Sequence, residues 1–106
     1  MKSRRLIIAG QAWRVRWCRR PMVEGGKVFG WMDPAACIIH VSTMLSPDAE
    51  RVTVLHEVIH AIHSTGADRH PRDEEPCVNA VSQGLFAIAR NPENAWFLPY
   101  LIGGAP

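Results

Sequence analysis

The chain has 106 residues, which is enough for one small domain with one hydrophobic core. Hydrophobic residues make up 47% of it and charged residues 21%, which is typical of a soluble globular protein and argues against a disordered or fibrous one. No apolar run approaches the roughly 18 residues that a membrane-spanning helix needs, and the formal net charge is only +2.

The basic residues are concentrated near the N-terminus. Residues 1–27 contain eight Lys and Arg side chains against a single acid, Glu24, and the remainder of the chain is net acidic. Such a segment can form a basic surface for nucleic acid or for an acidic partner. Arginine is also common on exposed strands, and we favour a solvated strand face.

The start of the chain and the cysteines both predict a cytosolic protein. The apolar run Leu6–Ala9 is too short for a signal peptide. The three cysteines (Cys18, Cys37 and Cys77) are odd in number and contain no CxxC pair, which favours reduced, buried thiols.

Alternating patterns predict strands in the first part of the chain. The segment AWRVRWC, residues 12–18, alternates apolar side chains with Arg14 and Arg16, as a half-buried strand does. A turn rich in Gly and Pro follows, with a short strand around Lys27–Trp31, and CIIHVS, Cys37–Ser42, is a further strand. Their short connections favour antiparallel pairing, so residues 1–45 are predicted to form a β-meander.

A helix is predicted for residues 46–66. Ser46 suits the N-cap, Pro47 the first helical position and Gly66 the C-terminal stop, with the helix itself running to about Ser64. The spacing of its apolar residues predicts a buried stripe formed by Val52, Leu55, Ile59 and Ile62.

A second helix is predicted for about Glu74 to Arg90, within a C-terminal region of residues 67–106. One face of this helix carries Val78, Val81, Leu85 and Ile88. The apolar tail ENAWFLPYLI is predicted to form a helical turn that closes over the core before Pro99. Strands followed by two helices define the fold class as α+β, with a small antiparallel sheet.

The motif His56-Glu57-Val58-Ile59-His60 is HExxH, placed midway along the first predicted helix. Residues i and i+4 share one face of a helix, so the imidazoles of His56 and His60 can reach a single Zn²⁺ ion. Glu57, which lies beside them and does not bind the metal, can activate a water molecule as a general base.

A hydrolytic zinc site takes three protein ligands and keeps one position open. His63 lies two turns beyond His56, too far along a straight helix to share the ion, and is assigned to the surroundings of the site. Glu75, at the start of the second helix, can complete a His₂Glu set, and Asn79 can hydrogen-bond a ligand imidazole. Glu74 remains a rival because Pro76 makes the local backbone uncertain, and Asp73 is a weaker one.

At this point the chain resembles a known family. The glycine-rich turn, CIIHVS, a helix with LHEVIHAI, a polar loop and EEPCVNAVSQGLFAIARNP are similar to small HExxH zincin-like metallopeptidases, in particular the ImmA/IrrE-like group and related short phage or prophage proteins. The resemblance covers roughly residues 12–98. It implies a minimal zincin-like domain that binds one Zn²⁺ through His56, His60 and Glu75.

The predicted function is zinc-dependent hydrolysis of peptide bonds, in a protein or peptide substrate, in the cytosol of a bacterial host if the chain is phage-encoded. His70, Arg72 and Tyr100 are candidates for stabilising the oxyanion, although a core aromatic is the preferred interpretation of Tyr100. The strand Cys37–Ser42 can offer an edge on which an extended substrate pairs.

The alternative is a zinc-stabilised binding module without catalysis, which acts on a protein regulator or on nucleic acid. Stacking platforms for single strands need aromatic rings and cations on one surface. Trp13 and Trp17 lie on the strand face opposite Arg14 and Arg16, which argues against nucleic acid. The sequence predicts no membrane partner and leaves the oligomeric state undetermined.

Overall fold

A computed structural model of the chain describes the backbone of residues 2–23, 26–27, 29–65 and 74–106, and their side chains except at positions 22, 23, 27, 74–79 and 82. The strands are β1 (Lys2–Ile8), β2 (Gln11–Cys18), β3 (Met22–Val23), β4 (Gly26–Lys27), β5 (Gly30–Asp33) and β6 (Ile38–Ser42). The helices are α1 (Pro47–Thr65), α2 (Glu74–Arg90) and α3 (Phe97–Leu101), with a 3₁₀ turn at Pro92–Asn94. No described helix is long and apolar enough to cross a membrane.

The fold class is α+β, as predicted, but the sheet is mixed and not antiparallel. Four strands pair in the order β1-β2-β6-β5, and β3 and β4 form a separate small hairpin. β2 pairs with β6 in parallel, from Arg14 beside Ile38 to Cys18 beside Ser42, whereas the other two pairs in the sheet are antiparallel. The predicted β-meander is therefore wrong for this central pair, because the chain between β2 and β6 makes the edge strand β5 before returning.

Alternation along the strands separates the two faces of the sheet. The inner face supplies buried residues to the core: Leu6, Ile8, Trp13, Val15, Trp17, Ile39 and Val41. Arg14 and Arg16 lie on the opposite, outer face, as the sequence predicts. The helices contribute the other half of the core, so the molecule has one layer of helices on one layer of sheet.

Helix α1 starts as expected, since the Ser46 hydroxyl accepts a hydrogen bond from the Ala49 amide at 3.3 Å. Its buried residues differ from the predicted stripe. Of that stripe, Ile62 is buried as predicted, Leu55 and Ile59 are half-buried and Val52 is 66% exposed. The other buried residues of the helix are Val54, Glu57, Val58 and Ala61. The helix carries two apolar stripes, and the one with smaller and β-branched side chains lies on the sheet.

The C-terminal segment closes the β1 edge of the sheet. Asn94, which is 4% exposed, accepts a hydrogen bond from the Ile7 amide at 2.9 Å and donates to the Ile7 carbonyl at 3.1 Å and to the Ile88 carbonyl at 2.9 Å. The indole of Trp96 donates to the Arg5 carbonyl at 2.9 Å. The predicted helical turn before Pro99 is corrected, because α3 includes Pro99 in its first turn, where no amide is required.

The hydrogen bonds of Asn94 predict that removal of this one side-chain amide strongly lowers the free energy of unfolding. We expect Asn94→Ala to lower the free energy of unfolding by about 2–4 kcal/mol, because three bonds worth about 0.5–1.5 kcal/mol each are lost around a buried site. Asn91→Ala, which removes an exposed cap on Glu93, serves as control and should cost about 1 kcal/mol. Equal losses in urea unfolding of the two variants would contradict this account.

Candidate metal centre

The two histidines of the HExxH motif converge in the structure. His56 and His60 lie one turn apart on α1, both exposed, and their Nε2 atoms are 3.1 Å apart. Two nitrogens bound at about 2.0–2.1 Å to one tetrahedral ion lie about 3.3–3.4 Å apart. The observed separation therefore fits a shared metal ion, and it also fits a hydrogen bond in which one Nε2–H donates to the other ring.

The rings are also oriented so that neither blocks the other. Their centroids are 4.7 Å apart and their planes meet at 71°, so the pair is not stacked face to face. Because helical spacing brings the two side chains to one face, this half of a metal site depends on local structure. The donor set of two imidazoles suits Zn²⁺.

Glu57 lies on the side of α1 that faces the sheet. It is 8% exposed, and a Cβ atom placed on Gly30 of β5 would lie 3.5 Å from its Cγ. His56 and Glu57 line the same cleft, of about 310 Å³, together with Phe29, Gly30, Val52 and Thr53. Glu57 therefore belongs to a cleft between the helix and the edge of the sheet, next to a ligand candidate.

Gly30 makes this arrangement possible. A Cβ atom at this position would lie 2.7 Å from Thr53 Cγ2 and 3.0 Å from the His40 carbonyl oxygen, distances that real Cβ atoms do not adopt or adopt rarely. The sequence analysis placed this glycine in the short strand around Lys27–Trp31 and Val52 in the core, and it missed the walls of the cleft. A glycine inside a strand pattern, which marks a close backbone approach, was the available signal.

No third ligand is found among the side chains that the structure describes. Within them, no group of three His, Cys, Asp or Glu residues is placed to hold a metal ion, so His63 does not complete a set with His56 and His60. Glu74 and Glu75 open α2, as predicted, but their side chains lie outside the described ones. The same holds for Asn79, while Asp73, His70 and Arg72 lie outside the described backbone as well.

Tyr100 belongs to the core. It is fully buried, its ring makes edge contacts with Trp17, and its hydroxyl donates to Glu50 Oε2 at 2.7 Å. Burial, followed by the hydrogen bond and the negative charge of Glu50, raises the pKa of Tyr100 above its usual value, so the proton stays on the phenol. The hydroxyl is therefore hydrogen-bonded to the first turn of α1 and is not a group of the cleft.

The expected substrate edge is corrected as well. β6 pairs with β2 on one side and with β5 on the other, so it has no open edge. β5 is the edge strand on this side of the sheet, and it packs against α1 together with β6. In the described part of the chain, no strand pairs with its outer side.

Comparison with models of known protein families, with curated proteins and with solved structures found no match to this chain.

The contact at Gly30 generates a prediction about stability. We expect Gly30→Ala to lower the free energy of unfolding by about 1–3 kcal/mol, since the added methyl overpacks the contact between α1 and β5. Adding Thr53→Ser should restore part of the loss. The Thr53→Ser change removes the Cγ2 methyl, which lies 2.7 Å from the position of the added Cβ. It keeps a hydroxyl that can donate to the Ala49 carbonyl.

Thr53→Ser alone is the control, and chemical denaturation of the four proteins measures the coupling. Additive losses in the double variant would show that the two groups do not collide.

Proposed function

We propose that the protein is a zinc-dependent peptidase whose active site lies where α1 meets the edge strand β5. The convergence of His56 and His60 Nε2 at 3.1 Å, beside the cleft that contains Glu57, is the observation that supports this proposal best. Both imidazoles are exposed and so are accessible to an ion.

The metal ligands in this proposal are His56, His60 and Glu75, with Glu74 as the rival for the third place. Bound zinc lowers the pKa of a coordinated water towards about 7 and polarises a substrate carbonyl. α2 contacts α1 at Gly84, where a Cβ would lie 2.6 Å from Ile62 Cγ2. Glu75 precedes Gly84 by nine residues, about 13–14 Å of helix, so the proposal requires that the first turn of α2 crosses over the two imidazoles.

Glu57 acts as the general base and then as the general acid. Its carboxylate accepts a proton from the water that attacks the carbonyl carbon and passes that proton to the leaving amine as the C–N bond breaks. The low exposure of Glu57 keeps bulk water away from this transfer. Its position beside His56 fits the requirement that the base lies next to a ligand.

The edge strand and the cleft walls suit an extended peptide. β5 has an open side in the described structure, and pairing with it would hold a peptide backbone alongside α1. Phe29 is 72% exposed and Val52 is 66% exposed, and both line the cleft with Glu57. An apolar side chain of the substrate, next to the scissile bond, would cover them.

The ligand set is tested by metal analysis. We expect wild type and Glu57→Gln to bind one zinc ion per chain, and Glu75→Gln to bind it at least tenfold more weakly, because a neutral amide replaces a charged ligand. Glu74→Gln is the matched control, since it changes the same charge one residue away. If Glu74→Gln loses zinc and Glu75→Gln retains it, Glu74 is the third ligand. If both variants retain zinc, neither glutamate of this turn is a ligand.

The reaction is tested with a library of proteome-derived peptides, whose new termini are identified by mass spectrometry. We expect cleavage next to large apolar residues by zinc-loaded wild type and none by Glu57→Gln. Phe29→Ala should weaken the apolar preference about tenfold, in line with about 1–3 kcal/mol for an apolar contact. Phe86→Ala, on the exposed surface of α2, is the control.

If wild type binds zinc but cleaves no peptide, the non-enzymatic binding module becomes the better interpretation.

A further inference from the structure

A cavity of about 440 Å³ lies at the end of the sheet where β1 begins and β2 ends. Cavities of this size hold small organic molecules. The lining consists of the apolar residues Trp17 and Pro106 and the polar or charged residues Lys2, Cys18, Arg19, Thr43 and Glu50. None of them lines the cleft that contains His56 and Glu57, so the cavity is a separate place for a ligand.

The strand register directs Lys2 to the cavity. Lys2 is directly opposite Trp17 in the antiparallel pair of β1 and β2, and opposite residues share one face of a sheet. Trp17 belongs to the core, so Lys2 is a cation on the inner face, at the point where the core ends. Arg4, the next inner-face residue of β1, lies over the Trp96 ring at 5.4 Å, whereas Lys2 has no ion-pair partner among the described side chains.

Hydrogen bonds fix the backbone of the rim formed by Cys18, Arg19 and Thr43. The Thr43 amide donates to the Cys18 carbonyl at 3.0 Å, and the Ser42 hydroxyl donates to the Arg19 carbonyl at 3.3 Å. Arg19 is exposed and, within the described part of the chain, its side chain also has no ion-pair partner. A rim that is already ordered lowers the entropic cost of binding.

Glu50 brings a negative charge to the same cavity. The Tyr100 hydroxyl donates to Glu50 Oε2 at 2.7 Å and so orients the carboxylate. A carboxylate has about four acceptor sites, so Glu50 can accept from a ligand as well. No ion pair joins Glu50 to Lys2 or to Arg19, although all three line the cavity. Opposite charges therefore border one space without neutralising each other.

We propose that this cavity binds a small zwitterion, either a free amino acid or a dipeptide, that carries an apolar side chain. The α-ammonium group donates to Glu50, the α-carboxylate accepts from Lys2 and Arg19, and the apolar side chain contacts the Trp17 ring. Glu50 distinguishes this site from a simple anion site, because its carboxylate would repel a phosphate or sulfate ion. The inference is independent of the metal centre and of peptidase activity.

The first test measures binding by isothermal titration calorimetry, with L-leucine and leucyl-leucine as probes. Three further probes each lack one group: N-acetyl-leucine lacks the ammonium, leucinamide the carboxylate and glycine the apolar side chain. We expect each of these three to bind about fivefold more weakly than leucine, because one favourable contact is lost near the surface. The tighter of leucine and leucyl-leucine identifies an amino acid or a peptide as the ligand. Absence of binding by both, or equal binding of N-acetyl-leucine, would overturn the proposal.

The second test assigns the two charges to residues. Glu50→Gln keeps an oxygen that can accept from Tyr100, and it should abolish the preference for leucine over N-acetyl-leucine. Arg19→Gln should reduce the preference for leucine over leucinamide, since only Lys2 then binds the carboxylate.

Arg20→Gln and Glu93→Gln are the matched controls, because both residues are exposed and neither lines the cavity. Both control variants should retain the two preferences. Equal effects of Arg19→Gln and Arg20→Gln, or an unchanged preference in Glu50→Gln, would refute the proposed site. The thermal midpoint of each variant verifies that it is folded.

Discussion

The close contact between α1 and the edge strand β5 is the constraint on which the rest of the molecule depends. Gly30 has no side chain, so Thr53 and Glu57 approach the backbone of the strand closely. This contact fixes the height of the helix above the sheet and buries Glu57 while His56 and His60 stay exposed. Glu57 and His56 thereby line one cleft between the helix and the edge of the sheet.

The two edges of the sheet have different environments. At β1, Asn94 and Trp96 satisfy backbone groups of the strand and tie the C-terminal segment to the core. A buried backbone group without a hydrogen-bond partner destabilises the folded state. The hydrogen bonds at the β1 edge therefore stabilise the fold. At β5, no described strand pairs with the outer side, and the candidate metal centre lies beside it. The two faces differ in a similar way, with the core on one and the arginines on the other.

Much of the helical structure was predictable from local signals. Ser46 and Pro47 define the start of α1, and α2 begins and ends where its apolar pattern does, because capping and helical periodicity act within a few residues. The choice of the buried stripe was not predictable in this way. α1 has apolar residues on more than one side, and the shape of the sheet selects Val54, Val58 and Ala61, which allow a close approach, and leaves Val52 in the solvent.

The sequence by itself determined the HExxH helix and the position of His56 and His60 one turn apart on the same face, since the period of a helix sets that spacing. It also determined the separation of Trp13 and Trp17 from Arg14 and Arg16, which follows from the alternation of a strand. Only the tertiary structure decided that β2 pairs with β6, that β5 is an edge strand, and that Trp31 lies on the same face of the sheet as Arg16. These features depend on which strands pair and in which register. Packing of the whole core sets that choice, because residues distant in the chain gain free energy only when they are buried together.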